Sequence, residues 1–210
     1  MSDGVTIALP RGALFRPSLD LLDRLGIPTA PIRDNDRRLV FPDLGVITTR
    51  PSDVPTYVEH GAADLGITGK DVLLEQADRE VYELLDLGYG RCRMVVAARD
   101  GDDPLGAPLR RRGSVRIATK YPRIASDYFA RTGRHAEIVE VKGSVEIGPL
   151  TGLVDAIVDL TATGRTLSEN QLVIQEEIVE STARLIANPV SHKLNAAEID
   201  RLVSQIRDAT

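Results

Sequence analysis

Short apolar stretches alternate with helical patterns along most of the chain. Residues 5–9 are an apolar run, which is typical of a strand buried on both faces of a parallel sheet, and Val115–Thr119 is predicted as a further strand. The first run is followed by apolar residues at helical spacing over residues 15–25. Gly26 then stands where a glycine commonly ends a helix. This alternation predicts an α/β fold with mostly parallel sheets.

The remaining pattern predicts further short elements. Strands are expected over residues 45–49, 64–67, 92–98, 137–141 and 154–160, one long strand over 176–187, and helices over 54–60, 124–132 and from 196 onward. Asp53 and Asn195 stand where they can cap two of these helices. Residues 99–113 contain glycine, proline and four arginines, so they are predicted to form a loop.

Two places in this pattern suggest that the chain crosses between two domains. One lies at residues 88–93 and the other at the end of the long predicted strand. We therefore expect a discontinuous first domain formed by residues 1–90 and 185–210, and a second domain formed by residues 91–184. The C-terminal helix would return to the first domain.

Composition and charge exclude several classes of protein. Hydrophobic residues make up 42% of the chain and charged residues 27%, which are values of an ordinary globular protein. The net charge is -5, with 26 Lys and Arg against 31 Asp and Glu, which argues against nucleic-acid binding. Cys92 is the one cysteine in the sequence, so neither a disulfide framework nor a cysteine-rich zinc site can form.

The chain shows no sign of export or membrane insertion. Its apolar runs are far shorter than the ~20 residues that span a bilayer, and its first residues lack the pattern of a signal peptide. We expect a cytoplasmic protein that binds no membrane.

The most informative segment is the polar turn after the strand at residues 154–160. That strand ends near Asp159 and is followed by three threonines, a glycine and an arginine. Backbone amides in such a turn can cradle an anion, and Gly164 allows a phosphate to approach closely. In loops that bind phosphoribosyl pyrophosphate (PRPP), an Asp is followed by Thr, Gly and Thr at four, five and seven positions. This spacing is found here in Asp159, Thr163, Gly164 and Thr166. By itself, the segment is equally consistent with a threonine-rich turn that caps a helix.

The wider sequence resembles the ATP phosphoribosyltransferases, which start histidine biosynthesis. The resemblance runs from about residue 6 to 185 and rests on Pro10-Arg11-Gly12-Ala13-Leu14 and on residues 64–71, 90–93, 118–122, 143–146 and 155–167. Three positions depart from the usual pattern: Ala13 replaces a basic residue, Val154 a small residue, and Val158 the second acidic residue of many phosphoribosyltransferases.

The resemblance implies a fold and a reaction. The fold is two α/β domains similar to the type II periplasmic binding proteins, with a cleft between the domains. The enzyme is a glycosyltransferase that joins N1 of ATP to the ribose of PRPP and releases pyrophosphate. Mg²⁺ arrives on the substrates, and no metal site made by the protein is expected. The chain's length is similar to that of the short form, which works with a regulatory subunit resembling histidyl-tRNA synthetase. A hetero-oligomer that also self-associates is expected.

The resemblance also implies site residues. Catalytic roles fall to Asp159, Arg50 and Arg11. PRPP is expected to bind to Asp155, Asp159, Thr161, Ala162, Thr163, Gly164, Arg165 and Thr166. ATP is expected to bind to Arg11, Gly12, Gly69, Asp71, Arg93, Lys120 and Glu146. Arg33 is a further candidate for a phosphate contact.

Simpler explanations remain open for several of these residues. Asp155 reaches the ribose or pairs with a basic residue, and Asp71 binds a substrate or caps a helix. Each arginine binds a phosphate or is a solvated surface charge. For the whole chain, the alternatives are a non-catalytic small-molecule-binding module of the same fold, or a phosphoribosyltransferase for another base.

Overall fold

The computed structural model describes residues 4–35, 37–101 and 103–209 of the 210. They form two compact units, Met1–Gly90 with Thr182–Thr210, and Arg91–Ser181. The second crossing thus lies three residues before the expected boundary at 184–185. The reason is that residues from Ala183 onward already pair with strands of the first unit.

The strands form one mixed sheet in each unit. They are β1 (Ile7–Pro10), β2 (Val40–Phe41), β3 (Val46–Thr49), β4 (Leu65–Gly69), β5 (Tyr82–Asp86), β6 (Cys92–Arg99), β7 (Val115–Thr119), β8 (Ala136–Glu140), β9 (Ala156–Thr161), β10 (Leu172–Ser181) and β11 (Ala183–Ala187). The first sheet has the order β2-β3-β1-β4-β11-β5 and the second β10-β6-β9-β7-β8.

Helices connect most of these strands. They are α1 (Phe15–Arg24), α2 (Ala30–Arg33), α3 (Val54–Glu59), α4 (Lys70–Glu75), α5 (Gly106–Arg112), α6 (Pro122–Arg131), α7 (Ile147–Leu150), α8 (Arg165–Glu169), α9 (Pro189–Leu194) and α10 (Ala196–Ala209). No helix in the described ranges is both long and apolar enough to cross a membrane.

Each sheet has a parallel centre and antiparallel neighbours. In the first unit, β1 runs parallel to β3 and β4, while β2, β11 and β5 pair antiparallel. In the second unit, β7 runs parallel to β8 and β9, while β6 and β10 pair antiparallel. The predicted fold of two α/β domains is confirmed, but the sheets are mixed and not mostly parallel. The chain enters the second unit with β6 and returns to the first with β11, and each of these strands pairs antiparallel with both of its neighbours.

The prediction of a loop over residues 99–113 is also wrong, because α5 lies there. Its proline, Pro108, is the third residue of the helix, where the missing N–H costs no intrahelical bond. Arg110, Arg111 and Arg112 occupy the last turn, where positive charge favours the helix dipole. Gly113 then ends the helix with a φ of 77°.

Two smaller expectations also need correction. The long strand over 176–187 is divided at Thr182 into β10 and β11, one in each unit. Asp53 does occupy the N-cap position of α3, but its side chain makes no capping hydrogen bond. Its carboxylate instead accepts a hydrogen bond from the Ser52 hydroxyl at 3.1 Å.

Each unit has its own apolar core. In the first, Ile7, Leu9 and Leu65 of the sheet are buried together with Leu19 of α1 and Ile199 of α10. In the second, the sheet residues Val95, Ala97 and Ile157 pack with Leu167 of α8. Burial of Leu167 holds α8 to the sheet and so fixes where the turn between β9 and α8 begins and ends.

Candidate active site

The carboxyl ends of β7 and β9 bring several of the predicted residues to one edge of the second sheet. These strands are parallel, and they end at Thr119 and Thr161. Strand β6 runs the other way, so it begins at this edge and places Arg93 directly opposite Thr161. Lys120, the turn after Thr161 and Arg93 therefore all lie at the same edge.

The turn over residues 161–166 is fixed by its own threonines. The buried Thr161 hydroxyl accepts a hydrogen bond from the Gly164 amide at 2.8 Å. The Thr163 hydroxyl accepts one from the Arg165 amide at 3.3 Å. Gly164 has a φ of 77°, which favours glycine. The turn is therefore held in one shape without a ligand.

This turn contains unpaired backbone donors. In the described part of the chain, the amides of Ala162, Thr163, Thr166 and Leu167 have no hydrogen-bond acceptor. Ala162, Thr163, Arg165 and Thr166 are exposed. Converging amides and hydroxyls of this kind bind anionic oxygens.

Asp159 lies beside this turn in a partly dehydrated position. Its side chain is 15% exposed, and its Oδ1 lies 3.5 Å from Lys120 Nζ. The same oxygen accepts a hydrogen bond from the Leu160 amide at 2.9 Å. Burial raises the pKa of the Asp159 carboxyl, and the negative charge of Glu146 adds to the rise, while Lys120 and the Leu160 amide oppose it.

Arg93, at the same edge, is engaged in an ion pair. Its guanidinium forms an ion pair with Glu177 of the neighbouring β10, and its side chain is 34% exposed. Nothing in the local sequence pattern singles out Glu177, because the contact joins residues 84 positions apart.

Asp155 lies at the other end of β9, away from the turn. Its Oδ2 accepts a hydrogen bond from the Arg116 amide at 2.8 Å, and its carboxylate also pairs with the guanidinium of Arg112. Asp155 and Asp159 are four positions apart along an extended chain, which corresponds to roughly 13 Å. The contacts with Arg112 and Arg116 favour the ion-pair alternative for Asp155.

The first unit gathers a second set of predicted residues at one edge of its sheet. Arg11, Arg50 and the Gly69 turn follow β1, β3 and β4, whose carboxyl ends meet because these strands are parallel. Arg11 is held in place, since Nε donates to the Thr48 hydroxyl at 3.2 Å and a terminal nitrogen donates to the Arg38 carbonyl at 3.1 Å. Thr48 is a second supporting residue that the sequence pattern did not single out.

Arg50 and Arg33 have different surroundings. Arg50 is exposed, and its guanidinium has no ion-pair partner in the described ranges. Arg33 instead pairs with Asp20 at 2.6 Å and with Asp23 at 2.8 Å. Arg33 is therefore occupied within the first unit and is not retained as a phosphate-binding candidate.

The remaining candidates shape the turns after β1 and β4. Gly12 is exposed and has a φ of 82°. Asp71 is mostly buried in the first turn of α4, with its carboxylate so close to Gly69 that a side chain there would collide with it. The carboxylate of Asp71 thus lies against the start of α4.

We find no metal site formed by protein side chains in residues 4–35, 37–101 and 103–209. Within them, no three His, Cys, Asp or Glu side chains are grouped so that they could hold a metal ion.

Comparison with known proteins connects this geometry to one family. The family model described as "ATP phosphoribosyltransferase" matches residues 50–208. A protein of that name from Rubrobacter xylanophilus is 52% identical over 206 residues, which cover 97% of this chain and 95% of the relative. Another from Sorangium cellulosum is 46% identical, with 100% and 98% covered.

Solved structures agree on the fold. The "ATP phosphoribosyl transferase (HisG:HisZ) complex from Thermotoga maritima" matches with a TM-score of 0.82 and 33% identity, covering 98% of both chains. The periplasmic aliphatic sulphonate binding protein SsuA from Escherichia coli matches with a TM-score of 0.64 at 12% identity, covering 100% of this chain and 73% of that one. The second match concerns the fold alone and confirms the expected likeness to periplasmic binding proteins.

Proposed function

Because this chain belongs to the ATP phosphoribosyltransferase family, we propose that the turn after β9 is where it binds PRPP. The activity is that of the family, which joins N1 of ATP to the ribose of PRPP and releases pyrophosphate as the first step of histidine biosynthesis. Family membership favours this enzyme over the non-catalytic binding module and over transfer to another base.

The observation that carries the PRPP assignment is the preorganised turn beside Asp159. Its free amides and the hydroxyls of Thr163 and Thr166 suit the oxygens of one phosphate group. The Thr161 bond to the Gly164 amide sets this shape before the substrate arrives. Little ordering is then needed on binding, which favours affinity.

Asp159 is proposed to act on the ribose. N1 of adenine attacks the anomeric carbon with its lone pair, the bond from that carbon to pyrophosphate breaks, and its electron pair leaves with pyrophosphate. N1 is neutral, so no proton must leave first and no general base is needed. Positive charge develops on the ribose in the transition state, and a carboxylate with low exposure is well suited to stabilise it.

The first unit is proposed to supply phosphate contacts. Arg11 is held at its sheet edge, while Arg50 follows a neighbouring strand and is free to bind an anion. Fixed positive charges lower the energy of the departing pyrophosphate. Gly12, Gly69 and Asp71 shape the turns at the same edge and are proposed to contact ATP. Mg²⁺ is proposed to enter with the substrates.

Arg93, Lys120 and Glu146 belong to the other unit and lie near Asp159. We expect any contact of these residues with ATP to lie close to its reacting N1, because the ribose of PRPP is proposed to lie beside Asp159.

Assembly with a second kind of subunit is also proposed. The Thermotoga maritima structure is a HisG:HisZ complex, and this chain matches a chain of it over 98% of both lengths. We expect a comparable regulatory partner and a location in the cytoplasm.

A pyrophosphate-release assay tests the activity and its base. The purified chain, with and without its partner subunit, is given PRPP and Mg²⁺ together with ATP, with another purine nucleotide, or alone. Release that depends on ATP is expected. Equal release with another base, or release without any base, would contradict the proposal.

A further inference from the structure

The two oxygens of the Asp159 carboxylate have different surroundings. Oδ1 faces Lys120 Nζ at 3.5 Å and accepts the Leu160 amide at 2.9 Å. Within the described ranges, Oδ2 accepts no hydrogen bond. The carboxylate is therefore held by one oxygen while the other is left for a ligand.

The elements next to Asp159 carry several charged groups, but only some of them are available to its carboxylate. From the neighbouring elements these are Lys120 after β7, Glu146 before α7, Arg93 on β6 and Arg165 on α8. Arg93 is paired with Glu177, and Arg165 with Glu169 at 2.8 Å. Directly opposite Asp159 on β6 is the apolar Val95. Lys120 is thus the cation that balances the buried carboxylate, and Glu146 works against it.

We propose that Lys120 is a positioning residue, which keeps Asp159 an anion and turns its Oδ2 towards the ribose. This inference rests on the proposed role of Asp159 in the reaction. It gives Lys120 a task different from the ATP contact that the resemblance implied. The negative charge of Glu146 opposes this effect of Lys120.

The chemistry requires such a residue. Burial favours the neutral form of a carboxyl group, and a neutral Asp159 could neither offset a cationic ribose nor accept two hydrogen bonds equally well. Removing Lys120 leaves burial and Glu146 acting in the same direction. Both raise the pKa of Asp159, so more of the enzyme would carry the inactive, protonated carboxyl as the pH falls.

The test measures the titration of Asp159 directly. Carboxyl ¹³C NMR follows this residue with pH in the wild type and in Lys120→Met, Lys120→Arg and Glu146→Gln. We expect the pKa to rise by about one unit or more in Lys120→Met, because an opposite charge within about 4–6 Å is lost. It should stay near the wild-type value in Lys120→Arg and fall in Glu146→Gln. The acid limb of the kcat profile should move with it.

Lys142→Met is the matched control. It removes the same charge from the same unit, but Lys142 is 88% exposed and pairs with Glu140. Its removal should leave the Asp159 titration unchanged. A shift as large as that of Lys120→Met would overturn the inference, since it would mean that general charge and not this contact sets the titration.

Two results separate this inference from the proposed function. If Asp159→Asn retains full turnover, the role of Asp159 in the reaction is wrong, and the inference fails with it. If Asp159→Asn abolishes turnover but Lys120→Met leaves the titration and the acid limb in place, the inference alone is overturned. A raised KM for ATP in Lys120→Met, with an unchanged pH profile, would assign Lys120 to ATP instead.

Discussion

At the scale of single residues, Asp159 on β9 and Asp155 just before this strand offer a natural comparison. Asp159 has a free carboxylate oxygen beside the anion-binding turn, whereas Asp155 is paired with Arg112 and Arg116 at the other end of the strand. The same residue type near the two ends of one strand thus has a proposed catalytic role in one case and ion-pair partners in the other.

Changing Asp159 to Asn should lower kcat by about 100-fold or more, because its charge matters most when the ribose becomes cationic. PRPP binding should weaken far less. Steady-state kinetics against PRPP measure both effects. Asp155→Asn serves as the control and should lower the melting temperature while kcat is largely retained. A raised KM without a fall in kcat for Asp159→Asn would contradict its proposed role.

Changing Gly164 to Val should weaken PRPP binding at least tenfold, equivalent to about 1.4 kcal/mol. The branched side chain would occupy the side from which the phosphate approaches and would also be strained at a φ of 77°. Gly113→Val is the control, since Gly113 has the same φ and lies at the end of α5, away from the turn. Equal PRPP affinity in folded Gly164→Val, measured by calorimetry, is the result that would rule out the loop assignment.

At the scale of elements, the sequence predicted mainly those helices and strands that depend on short, local patterns. Val115–Thr119 was predicted as a strand and is β7, and the helix before Gly26 is α1. The division of residues 172–187 between two sheets was not predictable, because it depends on pairing with β6 and β4, far away in the chain. Helix α5 was missed because Gly106 and Pro108 resemble loop residues in the sequence.

The same contrast between local and distant contacts applies to the candidate site. The turn of residues 161–166 lies within one short segment, so its spacing could be recognised. The contacts of Asp159 with Lys120 and of Arg93 with Glu177 join distant positions through the sheet. Strand register decides these contacts, and a single sequence does not specify register between distant strands.

The element scale also gives a stability prediction on β10. Glu176 accepts two hydrogen bonds from Arg134 at 2.8 Å each and one from the Tyr128 hydroxyl at 2.7 Å. The hydrogen bonds from Arg134 hold the pKa of Glu176 below its ordinary value. A lowered pKa stabilises the fold above the unfolded-state pKa of about 4.3, and this stabilisation is lost as the pH falls through the folded-state pKa.

Glu176→Gln should therefore cost about 2 kcal/mol of unfolding free energy at pH 7, and the difference from the wild type should shrink below about pH 4. Urea denaturation at pH 7 and at pH 3.5 measures this. The control is Glu180→Gln on the same strand, where the exposed pair with Arg91 should be worth less than about 1 kcal/mol. An equal loss at both pH values would show that packing, not charge, explains the effect.

At the scale of the whole molecule, the described residues are divided between two units that place their polar residues in a similar way. Each unit gathers polar and charged side chains at the carboxyl edge of its parallel strands, the usual place for ligand sites in open α/β sheets. The residues proposed to bind phosphates thus lie in both units, Arg11 and Arg50 in one and the turn after β9 in the other. Substrate positioning is therefore expected to depend on both.

Regulation is the prediction that belongs to this scale. Control by histidine requires a second site with its own preference for one state of the enzyme. The described residues form two units, both already engaged by the proposed substrate sites, and the matching Thermotoga maritima structure contains a second kind of subunit. We therefore expect the isolated chain to be insensitive to histidine and the complex with a comparable partner to be inhibited. An activity titration with histidine, and with alanine as the control, measures this for the chain alone and for the complex. Inhibition of the isolated chain at micromolar histidine would instead place the regulatory site within this chain.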